Sequence, residues 1–141
     1  ERACPRYPYV NRRTSEGIMA CVCVGCHNLI GFHVMQEHES PRSAFELIFS
    51  RWITAPKLII YDNACNLDIF CRTREPAYFK DTLIVVDRLH YKSHHGCSPI
   101  YDMDLYQSLC GVNSQAVEQL WSQLRFNTTR MGYMSQVNFF L

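Results

Sequence analysis

Long apolar runs are missing from this chain. No stretch of its 141 residues approaches the roughly 20 apolar positions that a membrane-crossing helix needs. The N-terminus ERACPRYPYV also lacks the apolar centre of a secretory leader. Strong charge of either sign is absent too: 14 Lys and Arg against 13 Asp and Glu leave +1. That balance neither advertises nor excludes nucleic acid, because a local basic patch can sit inside a neutral total. Internal repeats, linkers and low-complexity tracts are absent. Asp does not occur anywhere in residues 1–16, a polar lead-in that carries Arg6, Arg12 and Arg13. The chain begins without Met and ends on VNFFL, so it reads as a piece of a longer protein.

What is present fits one ordinary domain, an irregular lead-in over 1–16 and a folded unit over 17–141. With 48% hydrophobic and 13% aromatic residues the chain can bury a real core. Eight cysteines, an even number, raise the possibility of a secreted disulfide scaffold. A chain of this length with buried strand and helix patterns needs no such staples, and several cysteines lie near histidines, as in metal sites.

Two short apolar runs, GIMACVCV (17–24) and LIGFHVM (29–35), flank a turn and predict a hairpin. In ESPRSAFELIFSRW, Ser40 is a natural N-cap and Pro41 suits the first helical position. Ala44, Phe45, Ile48, Phe49 and Trp52 then share one face. KLIIY and TLIVVD predict short strands buried on both faces. Between them lie a helix through about Cys71 and a turn with a short helix in RTREPAYFKD. NSQAVEQLWSQLRF opens on an Asn/Ser cap and turns Val117, Leu120, Trp121 and Leu124 inward, and MGYMSQVNFFL starts a further helix. The order is an α/β pattern in which an antiparallel hairpin precedes a parallel pair. It resembles a ribonuclease-H-like fold, a mixed sheet with flanking helices, lacking its first strand and carrying a His/Cys-rich insertion before the last helix.

Three groups could carry chemistry. Asp62 ends an apolar strand and Glu118 lies on the last helix; brought together, paired carboxylates hold the divalent ions that activate water at a phosphodiester. The plainer alternative makes Asp62 the cap of the following helix and Glu118 a solvated residue, and Asp87, which also ends a strand, competes with Asp62. In the second group the spacing of Cys65, His90, His94 and Cys97 predicts a thiolate and imidazole set suited to tetrahedral Zn²⁺. His95 is an alternative to His94, and a polar surface loop with incidental histidines is the alternative to a site. Cys23 and Cys26 make a C-x-x-C without a second pair, so the strand cysteines read as small hydrophobes; Cys4, Cys71 and Cys110 have no assigned role. The third group is a scatter of cations, Arg72, Arg74, Arg88, Lys92, Arg125 and Arg130, able to meet phosphates.

Taken in order, YDNACNL, REPAYFKDT, VVDRLHYKSHHGCS, YDMDLY and NSQAVEQLWSQL, with GFHVMQEHESPRSAFELI upstream, resemble the Kyakuja–Dileera–Zisupton (KDZ) transposases. They are similar also to the domesticated HMG domain-containing protein 3-like relatives of that family. The resemblance implies a ribonuclease-H-like DDE/D core, DNA as substrate, Mg²⁺ or Mn²⁺, action in the nucleus and, potentially, a homo-oligomer. It puts the family's second and third acids on Asp62 and Glu118, and its H-x-x-x-H-x-x-C block on His90, His94 and Cys97. The family's first Asp has no counterpart here, which predicts an inactive chain as it stands. The turn also departs, with CVGCHN where the family tends to C-P-H-G. A non-catalytic, zinc-stabilised module that binds DNA or protein is the competing expectation.

Overall fold

A computed structural model describes residues 17–35, 38–95 and 97–131. The chain folds as a mixed α/β unit. Strands β1 (Gly17–Val22) and β2 (Leu29–Met35) form an antiparallel hairpin with an irregular register at Cys21/Val22. Its turn is closed by backbone bonds from His27 N to Cys23 O and from Cys23 N to Asn28 O, with His27 at a φ of 57°. Strands β3 (Leu58–Ile60) and β4 (Leu83–Val85) form a separate parallel pair in the register Leu58–Leu83 to Ile60–Val85.

Four helices frame the strands. Helix α1 (Pro41–Arg51) starts where its sequence signal lies: the Ser40 hydroxyl accepts from Ser43 N at 3.3 Å and Pro41 takes the first turn. Its inward face is Ala44, Leu47 and Ile48. Phe49, expected inside, is 44% exposed and stacks on Phe45 at 5.4 Å, because the face rotates to bring Leu47 onto the hairpin side. Helix α2 (Ala64–Arg74) buries Ala64, Leu67 and Cys71. The short helix expected in RTREPAYFKD is absent; the segment is a run of turns that delivers Phe79, fully buried, into an aromatic cluster with Phe45 and Tyr78. After β4 comes a one-turn helix α3 (Arg88–Tyr91), then 3₁₀ turns at Pro99–Tyr101, Met103–Leu105 and Gln107–Leu109. Helix α4 (Ala116–Met131) closes the described part, and Asn113 Oδ1 accepts from Gln115 N at its approach. The helix expected over the last ten positions, like the lead-in, lies outside the described residues.

Strand alternation on β4 builds two cores. Ile84, with Val86 just beyond it, faces α1 and α2 and packs with Leu67, Cys71 and Phe79; Val85 faces the other way onto Met103 and Leu109. β4 is therefore buried on both sides, as its sequence predicts. β3 is only half-buried, since among the described residues one of its edges pairs with β4 and the other pairs with no strand.

Candidate functional site

Among the described residues β1 and β3 each have an edge that pairs with no strand, and these edges border a cavity of about 440 Å³. Consecutive residues line it, Ile18 to Val22 on one side and Leu58 to Ile60 on the other. A sheet face would contribute only every second residue, so the cavity lies along the edges. Leu47, Ile48 and Leu67 line it from α1 and α2, and Val117 and Trp121 from α4. Glu39, Asp62, Asp87, His90 and Glu118 supply its acidic and imidazole lining.

The two strand-ending acids do different jobs. Asp87 is 3% exposed and caps α3: its Oδ1 accepts from Leu89 N at 2.9 Å and His90 N at 3.1 Å. Its Oδ2 accepts from His90 Nδ1 at 2.6 Å. Asp62 does not hold the cap position of α2, which belongs to Asn63, and among the described residues its carboxylate accepts only from Asn63 N, at 2.7 Å. It is thus the freer of the two. Glu118 projects from the first turn of α4, and its Oε2 is buried without a hydrogen-bond partner. A carboxylate oxygen shielded from water costs free energy unless a proton or cation meets it. Glu118 lies with Asp87 and His90 in a group whose ligand atoms, all within 4.8 Å of one another, fit a divalent ion. Asp62 lines the same cavity but is not in that group.

His90 sits in the field of all three acids. Burial, the largest single influence, pulls its pKa down. The hydrogen bond and charge of Asp87, with the charges of Asp62 and Glu118, together outweigh it and leave the imidazole raised above its ordinary value.

A second cluster forms at the start of α2. The ligand atoms of Cys65, His94 and Cys97 lie within 4.8 Å of one another, a set that can bind a metal such as zinc. Burial and the neighbouring Cys65 sulfur push the Cys97 thiol up. His90, expected as a fourth member, is drawn away: Asp87, three residues earlier, hooks its Nδ1 and groups it instead with Glu118. His94 rather than His95 joins the sulfurs. Cys23 and Cys26 come close, and backbone N–H groups of Cys26 and Gly25 lower the Cys23 thiol. No third ligand joins them among the described residues.

Several cations expected at phosphates are engaged internally. Arg72 binds Asp68 at 2.7 Å and the carbonyls of Phe79 and Thr82. Arg88 binds Asp104 and the carbonyls of Leu109 and Val112, and Arg74 lies 3.4 Å from the centroid of the Phe70 ring. Lys92 stays exposed.

A family model for the Kyakuja–Dileera–Zisupton transposases matches residues 10–139. The chain belongs to the KDZ transposase family. No curated protein and no solved structure matches it. Membership makes a transposase-type function the frame for the KDZ site, and no described helix is long and apolar enough to cross a membrane. Sequence reasoning gave Asp87 only as a rival to Asp62. The signal for its actual company was D-x-x-H, an acid at a helix cap with an imidazole one turn on, which folds back on itself locally.

Proposed function

We infer that this domain is the nuclease core of a KDZ transposase, cutting and rejoining DNA in the nucleus through divalent ions held by Asp62 and Glu118. The carrying observation is that both acids line one cavity, bordered by strand edges that pair with no strand among the described residues. In a ribonuclease-H-like sheet the first strand would lie along those edges, pairing with β1 on one side and β3 on the other. Residues 1–16 contain no Asp, so the acid of that strand has no counterpart in this chain. Bound Mg²⁺ or Mn²⁺ would activate the attacking oxygen and stabilise the leaving one. The chain's own part is to hold Asp62 at a strand end and Glu118 on a helix so that both oxygens face one phosphate. With the first acid missing, the chain alone is inactive.

Zinc at Cys65, His94 and Cys97 would brace this arrangement. Cys65 is three residues past Asp62, and Cys97 lies across the insertion, so one ion ties the loop to the strand end.

The test is nicking of supercoiled DNA in Mn²⁺ by two proteins, this chain and an N-terminally extended form. The chain is expected to leave DNA intact, and the extended form to nick it and to lose the activity on Asp62→Asn or Glu118→Gln. Nicking by the chain itself, abolished by Asp62→Asn, overturns the inactivity. An extended form that binds DNA without nicking it supports the non-catalytic module instead.

A further inference from the structure

The DDE/D pattern assigns metal binding to carboxylates alone, whereas the side chains here bring an imidazole into the same group. Ligand atoms of Asp87, His90 and Glu118 lie within 4.8 Å of one another. Asp87 is not a free ligand. Its Oδ1 accepts two backbone N–H groups and its Oδ2 accepts His90 Nδ1–H. That bond fixes the neutral ring with its proton on Nδ1 and its lone pair on Nε2. A buried carboxylate hydrogen-bonded to an imidazole whose other nitrogen keeps its lone pair is the arrangement by which proteins present histidine to a metal. The neighbouring donor that needs a partner is Glu118, whose Oε2 is buried and unpaired.

We propose that His90 is a direct metal ligand at the Glu118 end of the cavity, with Asp87 as its positioning residue, so that the site takes Mn²⁺ or a later first-row ion in preference to Mg²⁺. This rests on the reading of Asp62 and Glu118 as metal-binding acids. The selectivity follows from donor chemistry. Mg²⁺ demands near-ideal octahedral oxygen ligation, while imidazole nitrogen favours transition metals. The proposal also explains why His90 stands apart from Cys65, His94 and Cys97. One histidine cannot serve both sites while Asp87 holds its ring.

The test uses the chain given one equivalent of Zn²⁺ for the sulfur site and freed of excess Zn²⁺, then titrated with Mn²⁺ and with Mg²⁺. Pulsed electron paramagnetic resonance of the Mn²⁺ form is expected to show coupling to a directly bound nitrogen. His90→Gln should remove the coupling and weaken Mn²⁺ binding tenfold or more while barely changing Mg²⁺ binding. Asp87→Asn should weaken Mn²⁺ binding by about 10–100-fold, the range for partners of ligating histidines. Because Asp87 also caps α3, that variant is read only alongside His90→Gln. Nitrogen coupling absent from the parent protein, or surviving in His90→Gln, overturns the imidazole ligand. If Glu118→Gln and Asp62→Asn weaken both ions while His90→Gln changes nothing, the carboxylate reading stands and this proposal falls. If neither acid variant weakens binding, both fall.

Discussion

At the scale of single residues, burial separates side chains of the same type. Cys71 is wholly buried among Leu67 and Phe79. Burial, aided by Asp68 and opposed by Arg72, pushes its thiol from 9.0 to about 12. The unfolded chain therefore loses this proton first as pH rises, and the folded state is left binding more protons than the unfolded one. Stability should then fall between about pH 9 and 12, by at most about 1.4 kcal/mol per pH unit from this group. Urea unfolding across that range should show a shallower fall for Cys71→Ala than for the parent; identical slopes would remove Cys71 from the account. Sequence could not have assigned this. Eight cysteines look alike on paper, and only the packing of α2 against β4 makes one inert and leaves Cys26 and Cys110 exposed.

Secondary-structure elements were the most legible level. The Ser40–Pro41 start of α1, the hairpin and both parallel strands are signalled by local chemistry, and they sit where that chemistry puts them. The insertion was opaque because it has no period. It is ordered instead by a side chain, Arg88, which reaches Asp104 and the carbonyls of Leu109 and Val112. The same guanidinium read in sequence as a phosphate contact. Replacing it with Ala should cost about 2–3 kcal/mol, as for the loss of charge-assisted bonds to buried carbonyls. Limited proteolysis should then open the 103–112 segment first. Unchanged protease resistance would mean that the 3₁₀ turns stand by their own packing of Met103 and Leu109.

For the whole molecule, the site depends on residues that no local pattern joins. Asp62 and Glu118 could be named from sequence, but their neighbours could not, because three residues decide whether His90 faces sulfur or carboxylate. The Cys65, His94 and Cys97 cluster links α2 to the insertion, so loss of a metal held there should loosen both. Metal analysis is expected to find roughly one Zn²⁺ per chain. Chelation or Cys97→Ser should lower the melting temperature by about 5 °C or more, taking a few degrees per kcal/mol. A protein equally stable without metal would show that hydrophobic packing alone holds the insertion in place.

Among the described residues β1 and β3 each keep one edge that pairs with no strand, and their sheets are linked through α1 and α2 rather than through a shared strand. Backbone groups along such edges accept any extended polypeptide of suitable sequence. A version of this domain without its own filler strand would therefore recruit one from a neighbouring molecule, giving swapped dimers at best and aggregates at worst. Whether these edges are covered thus governs the domain's solubility as much as its chemistry.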